Sequence, residues 1–227
     1  MLLSSLQFGF VNLLEICKTG NPQCAIVCTS LSSINRLNTK ISFLEKDRTN
    51  QPASFYGATK KAGEEIAYTY NHIYGLSLTG LQFFTVYMSW GRPDMAYFFF
   101  TEDIMKGKVI SVFEVANHKM VARDFTYIDD IVKGCLGALH TTEKNTWSGR
   151  EKRGPVQLCV FNLGNTPPVP VSDLVGNGDV SFTYTTNISL ARREFGYRPM
   201  TDLQTGLKKY VRWYVSYYVT SGEKKVD

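Results

Sequence analysis

The feature that most constrains the fold is an alternation of buried-strand and long-helix patterns within residues 25–86. Ala25–Cys28 is a continuous apolar run of the kind found in strands that are buried on both faces. A helical pattern follows over 56–74 and ends at Gly75, and a second inner-strand pattern covers Leu76–Val86. Strand, helix and strand in short succession favour a parallel, doubly wound α/β sheet over a β-sandwich.

Other segments carry weaker patterns of the same kind. Apolar residues at helical spacing between Phe10 and Cys17 predict a helix before the first strand. The later segments favour a smaller lobe packed beside the sheet. Its predicted elements are a helix at Met95–Lys106, a strand at Val109–Phe113, a helix at Ile128–Thr141, a strand at Gln157–Leu163 and a helix at Leu203–Tyr218.

Composition excludes several functional classes. The formal charge of +5 comes from lysines and arginines scattered among acidic residues, so no basic stripe predicts binding to nucleic acid. No apolar run approaches the roughly 20 residues that span a bilayer, and we expect no membrane segment in this chain. Five cysteines and three histidines without metal-ligand spacing predict reduced thiols and no metal site.

Two short patterns carry candidate chemistry. Tyr56 and Lys60 stand four apart at the head of the long helix, which places both on one face. A free phenol has a pKa of about 10, and a nearby ammonium favours the phenolate, so Tyr56 is a candidate acid/base. Ser30 and Ser32 follow the first strand, at the sheet edge where α/β proteins bind ligands. An exposed helix pair and a polar turn are the structural alternatives.

Several segments, in one order along nearly the whole chain, resemble UDP-glucuronate 4-epimerases of the extended short-chain dehydrogenase/reductase class. The segment around Tyr56 and Lys60 is similar to the YxxxK segment of that family. The resemblance is carried by Pro52–Glu65, Tyr70–Gly75, Phe83–Tyr87, Trp90–Ala96, Ala122–Asp130 and Phe161–Asn165.

The resemblance implies a Rossmann-like fold and a reaction that uses NAD. In such enzymes C4 of UDP-glucuronate is oxidised, the 4-keto sugar rotates, and hydride returns to its other face to give UDP-galacturonate. Tyr56 would be the acid/base, Lys60 would lower its pKa and bond the nicotinamide ribose, and Phe84 would pack at the nicotinamide. Ser30, as a cofactor contact, or Ser32, as a catalytic residue, would replace the family's active-site serine only if the turn after the first strand shifts. The implied substrate contacts are Thr85, Arg92, Ser111, Phe113, Arg123 and Asp179.

This sequence departs from the family pattern at defined positions. Leu31 aligns with the serine that bonds the tyrosine and the sugar. Gln82 and Gly176 replace arginines, and Met88-Ser89 replaces Gly-Pro. None of the eighteen glycines forms the glycine-rich turn that holds the pyrophosphate of a dinucleotide. We therefore expect the first βαβ units of the family to be missing, with an exposed sheet edge that lowers solubility or requires a partner.

These observations lead to one assignment with two alternatives. Residues 1–94 are expected to form the C-terminal part of a Rossmann-like NAD-binding domain, and 95–227 a substrate-binding lobe interleaved with the last strands of the sheet. The chain is a working UDP-sugar epimerase, an inactive truncated relative, or a non-catalytic partner of a full-length epimerase. Pairing, with itself or with a relative, is expected through the helix that bears Tyr56 and Lys60. Plant relatives carry a Golgi anchor that this sequence lacks, so its compartment stays open.

Overall fold

The computed structural model describes most of the chain. The described residues are 2–22, 24–31, 42–45, 54–110, 114–115, 119–141, 158–165, 167–171, 180–183 and 185–220. The helices are α1 (Leu2–Gly20), α2 (Phe55–Tyr74), α3 (Ala96–Met105), α4 (Ile128–Leu139), α5 (Ser189–Phe195) and α6 (Leu203–Tyr214), and α6 continues as a π-helix over Val215–Thr220. The strands are β1 (Ile26–Leu31), β2 (Ser42–Phe43), β3 (Leu78–Phe83), β4 (Thr85–Tyr87), β5 (Glu114–Val115), β6 (Lys119–Arg123), β7 (Phe125–Tyr127), β8 (Cys159–Leu163), β9 (Val169–Pro170), β10 (Val180–Thr183) and β11 (Thr185–Thr186).

The main sheet is parallel, which confirms the predicted α/β class. Its order is β1-β3-β8, so β3 lies in the middle and β1 at one edge. The register between β1 and β3 runs from Ile26 opposite Leu78 to Leu31 opposite Phe83. Parallel neighbours need a crossover connection, and α2 supplies it between β1 and β3.

The other strands form smaller sheets. β6 pairs with β10 in parallel and with β5 and β9 in antiparallel fashion. β4 pairs with β7, and β2 pairs with β11, both in parallel. The chain passes from β3 to β4 at Phe84. The residues before Phe84 belong to the main sheet, and those after it pair with β7.

Helix α2 has clear start and stop signals. The Ser54 side chain accepts a hydrogen bond from the backbone N–H of Gly57, and Gly75 ends the helix in the left-handed conformation with φ of 69°. The helix packs beside α1, where Tyr70 Oη donates to Glu15 Oε1 at 2.5 Å. An apolar cluster that includes Leu14 and Ala67 fills the space between these helices and the sheet.

A second core is almost entirely aromatic. Tyr87, Tyr97 and Tyr210 are buried together with Phe125. The Tyr97 and Tyr210 rings meet edge-on with centroids 4.9 Å apart, a favoured geometry for aromatic pairs. This core joins α3 and α6 to β4 and β7.

Three predicted elements differ from the structure. The strand predicted at Leu76–Val86 is two strands, because Phe84 interrupts the pairing. No strand forms at 109–110, and the nearest one is β5. The helix predicted to reach Tyr218 is α-helical only to Tyr214, where the hydrogen bonding widens to the π pattern. Within the described ranges, no helix has the length and apolar character of a membrane span.

Candidate functional site

The predicted catalytic pair lies on the first two turns of α2. Tyr56 keeps 43% of its surface exposed, so its phenol is accessible to a ligand. The Lys60 ammonium lies 5.7 Å from the centroid of the Tyr56 ring. The helical spacing of four residues places the two side chains on one face, as the sequence predicts.

Lys60 also lines a cavity of about 290 Å³ between α1, β1 and α2. Ser30, near the carboxyl end of β1, faces the same cavity. This serine is only 3% exposed, and its Oγ has no hydrogen-bond partner among the residues that the structure describes. A buried hydroxyl normally has a partner, so Ser30 leaves a polar atom unsatisfied, among the described residues, in the wall of the cavity. The lining is completed by Gln7, Phe10, Leu13, Ile26, Val27, Cys28, Thr29, Thr59, Gly63 and Glu64.

One wall of the cavity is held by a carboxylate. Glu64 accepts a hydrogen bond from Gln82 Nε2 at 3.0 Å, and Lys61 Nζ lies 3.6 Å from its other oxygen. Gln82 stands where the family that this sequence resembles has an arginine. Its side-chain amide is the donor in this hydrogen bond to Glu64 on α2. Cys28 donates to the carbonyl of Thr79, and burial raises the pKa of the Cys28 thiol to about 11.

The next two predicted residues lie at the carboxyl end of β3. Phe84 and Thr85 lie at the break between β3 and β4, and both are half-buried. The backbone N–H of Thr85 donates to the carbonyl of Asp124 at 3.0 Å. Thr85 is thereby tied to the residue that follows Arg123.

Arg92 stands on an exposed loop within electrostatic range of Tyr56. It is ion-paired with Asp94, and Arg92 Nε donates to Asp94 Oδ1 at 3.0 Å. The pKa of Arg92 is raised chiefly by this hydrogen bond and in smaller part by electrostatic attraction to Tyr56. Arg123 ends β6, and its guanidinium donates to the carbonyl of Ala122 at 3.3 Å.

The structure thus brings Tyr56, Lys60 and Ser30 to one region, with Arg92 in electrostatic range of Tyr56. Arg123 belongs to the separate β6 sheet. Four predicted site residues lie outside the described residues, namely Ser32, Ser111, Phe113 and Asp179.

Sequence reasoning missed three residues of the cavity wall: Gln7, Cys28 and Glu64. For Glu64 a signal existed, because it follows Lys60 by four positions and therefore shares its helix face. Gln7 gave no comparable signal. Its contact with α2, where Gln7 Nε2 donates to the Thr59 carbonyl at 2.6 Å, joins positions far apart in sequence.

The arrangement suits proton transfer to or from a neutral hydroxyl. An accessible phenol beside an ammonium can pass a proton, and a guanidinium nearby can bind an anionic group. Tyr87 and Tyr97 lack this access because both are buried. Burial also raises the pKa of each of these two phenols.

Comparison with known proteins identifies relatives of this chain. Residues 7–149 match the model of the NAD dependent epimerase/dehydratase family. The chain is 70% identical to UDP-glucuronate 4-epimerase 4 of Arabidopsis thaliana over 96% of its own length and 53% of that protein. It is 38% identical to Protein CapI of Staphylococcus aureus over 92% of its own length and 68% of that protein. The chain therefore spans about half the length of the plant relatives.

Solved structures give the same result for the fold. A UDP-glucuronic acid 4-epimerase from Bacillus cereus in complex with NAD is 25% identical, with a TM-score of 0.72 over 92% of this chain and 67% of that one. A dTDP-glucose 4,6-dehydratase from Bacillus anthracis is 21% identical with a TM-score of 0.73 over 92% of this chain and 67% of that one. With the family match over more than half of the sequence, the chain belongs to the NAD dependent epimerase/dehydratase family.

Proposed function

We propose that this chain carries the proton-transfer site of an NAD-dependent UDP-sugar 4-epimerase that interconverts UDP-glucuronate and UDP-galacturonate. The observation that carries the proposal is the placement of accessible Tyr56 beside Lys60, which lines a cavity together with Ser30. The buried Oγ of Ser30 has no hydrogen-bond partner among the described residues. The identity of 70% to an Arabidopsis UDP-glucuronate 4-epimerase supports the substrate class.

In this proposal each residue has a limited task. Tyr56 takes the proton from the sugar 4-hydroxyl and later returns it, while Lys60 stabilises the phenolate. Thr85 binds the sugar from the end of the sheet. Arg92 exchanges part of its pairing with Asp94 for the substrate carboxylate, which suits a forked guanidinium.

The described residues fit one end of NAD. The Lys60 ammonium and the Ser30 Oγ, which has no partner within the described ranges, are donors of the kind that a nicotinamide and its ribose require. Phe84 supplies an apolar surface near the end of β3. When NAD is bound, it supplies the removal and return of a hydride at C4 of the sugar. Among the described residues, no glycine-rich turn follows a strand to hold the pyrophosphate. The described residues therefore fit the nicotinamide half of NAD. The domain boundary near residue 94 remains a prediction.

A second candidate is a non-catalytic partner of a full-length epimerase. This alternative is favoured by Leu31, which stands where the family has an active-site serine. Leu31 lies at the end of β1, opposite Phe83 of β3. The same alternative is also favoured by large apolar side chains exposed on α1 and α2. These include Phe8 at 69%, Ile16 at 66%, Phe55 at 86% and Ile73 at 56% exposure. Burying such a face against the same helices of a second chain, its own or a relative's, would remove the apolar surface from water.

Turnover with a matched pair of tyrosine variants tests the catalytic assignment. Purified chain with added NAD is incubated with UDP-glucuronate, and the UDP-galacturonate formed is separated and quantified. Tyr56→Phe is expected to lower the rate by about 10²–10⁴-fold, the range for a lost acid/base. Tyr68→Phe, an exposed tyrosine on the same helix, is the control and should retain the rate.

Each other outcome has a defined meaning. Equal rates in Tyr56→Phe and the parent chain would exclude Tyr56 as the acid/base. No turnover in the parent chain, together with a changed rate or assembly when a full-length relative is added, would favour the non-catalytic partner. No effect in either assay would indicate an inactive relative.

A further inference from the structure

Trp90 is held in a backbone conformation that bulky residues rarely adopt. Its φ is 64°, the only positive value of a residue other than glycine in the part of the chain that the structure describes. Such a φ is an outlier for a bulky side chain, and it persists where the surrounding contacts compensate the strain. Trp90 lies on the loop between β4 and α3, and Arg92 follows it by two positions.

Aromatic contacts with the C-terminal helix hold the Trp90 ring. Its centroid is 5.2 Å from that of Trp213 and 4.5 Å from that of Tyr217, which it meets edge-on. Trp213 and Tyr217 are stacked on each other at 5.7 Å. Edge-on and offset-stacked rings at these distances are favoured aromatic arrangements. Trp90 is 66% exposed, yet its ring ties the loop to α6 and to the π-helical segment that carries Tyr217.

The loop backbone is held on both sides of Arg92. A Cβ at Gly91 would lie 1.9 Å from Tyr97 Oη and 3.1 Å from the Met88 carbonyl oxygen, so no side chain fits there unless the buried Tyr97 ring moves. After Arg92, the N–H of Met95 donates to the Arg92 carbonyl at 3.2 Å. The Arg92 side chain, in contrast, is 69% exposed. An accessible guanidinium therefore stands on a tightly held backbone.

We propose that Trp90 is a positioning residue that, through its contacts with Trp213 and Tyr217, holds Arg92 in the orientation that binds the carboxylate of the sugar nucleotide. This inference rests on the proposed function, in which Arg92 binds that carboxylate. A forked guanidinium pairs well with a carboxylate only in a defined geometry, so movement of the loop should weaken the pair. Arg92 lies within electrostatic range of Tyr56, so the loop also sets the distance between the two groups.

The test compares two sugar nucleotides that differ in the carboxylate. UDP-glucuronate carries this group and UDP-glucose lacks it. Calorimetry with NAD present gives the affinity of the folded chain for each, and the ratio of the two affinities is the carboxylate preference. Trp90→Ala and Tyr217→Ala remove the ring contact from either side, Trp90→Phe keeps an aromatic ring, and Arg92→Leu removes the guanidinium. Circular dichroism checks that each variant folds.

The parent chain should prefer UDP-glucuronate, and Arg92→Leu should lose that preference. We expect Trp90→Ala and Tyr217→Ala to lower the preference about tenfold, part of the range for a hydrogen bond to a charged group. Trp90→Phe should retain most of it. In the Arg92→Leu background, Trp90→Ala should have no further effect on the preference, because Trp90 acts through Arg92.

Several results would overturn the proposal. They are an unchanged preference in folded Trp90→Ala, an equal loss of affinity for both sugar nucleotides in that variant, and a tenfold effect of Trp90→Ala that persists in the Arg92→Leu background. The first two would leave Trp90 with a purely structural role, whereas the proposed function would stand.

A different result separates the inference from the proposed function. A folded parent chain that binds neither sugar nucleotide, or a preference that survives in Arg92→Leu, would refute the proposed task of Arg92 and with it the role of Trp90 in substrate binding. Hydrogen exchange over residues 88–95 then decides whether Trp90 holds the loop. Faster exchange in Trp90→Ala than in the parent chain would support that contact, and equal exchange would refute it.

Discussion

The tyrosines of this molecule fall into two groups, one exposed at the surface and one buried in the aromatic core. Tyr56 stands at the head of α2 with 43% of its surface exposed, beside a lysine that lines a cavity. Tyr87 is fully buried in the aromatic core, where burial raises its pKa. The proposed acid/base is an accessible phenol beside a lysine, whereas a buried phenol such as Tyr87 stays protonated and packs in the core.

Tyr87→Ala should have the largest effect on stability. The substitution leaves a large cavity among aromatic rings, and such truncations cost about 3–5 kcal/mol. Tyr56→Ala, the matched change at an exposed position, should cost about 0.5 kcal/mol or less. Urea unfolding followed by circular dichroism measures both free energies of unfolding. Equal losses would contradict the contrast between the two tyrosines.

Gly206→Ala tests how tightly the aromatic core is packed. A Cβ at Gly206 would lie 1.9 Å from Tyr87 Oη, so the ring or the helix must move, at a cost of about 1–3 kcal/mol. Gly9→Ala in α1 is the control, because a Cβ there meets nothing within 4 Å. It should stabilise the helix by about 0.5–1 kcal/mol. A neutral Gly206→Ala would show that the core accommodates extra volume.

Cys28 gives the smallest expected effect, a dependence on alkaline pH. Its pKa is raised from 9.0 to about 11 by burial, so between these values the folded chain keeps a proton that the unfolded chain has lost. Stability should therefore fall as pH rises from 9 to 11, by roughly 1–2 kcal/mol from this residue. Cys28→Ser, which does not titrate there, should lose that part of the slope. Parallel pH profiles for the two proteins would refute the assignment.

Local patterns predicted the elements around the candidate site well. The apolar run at Ala25–Cys28 lies largely within β1, and the predicted helix over 56–74 is α2 apart from one residue at its start. These elements have strong local causes: a continuous apolar run, the cap at Ser54 and the left-handed Gly75. Local causes can be recognised without knowledge of the tertiary partners.

Local sequence patterns did not predict which strands pair with each other. β3 and β4 read as one strand because hydrophobic pattern does not reveal that Phe84 separates strands with different partners, β8 and β7. The β2–β11 pair joins Ser42 to Thr185, and no local signal specifies it. In the site, Ser30 and Lys60 could be predicted from sequence, whereas the cavity between them depends on how α1 packs against α2.

Calorimetric titration with NAD shows whether Tyr56 and Lys60 form the cofactor end of an epimerase site. The parent chain is compared with Lys60→Met and with Lys61→Met, whose lysine pairs with Glu65 at 2.8 Å. We expect binding heat in the parent chain, a loss of about tenfold or more in affinity for Lys60→Met, and little change for Lys61→Met. No binding by the folded parent chain, or equal affinity in the two lysine variants, would contradict the account.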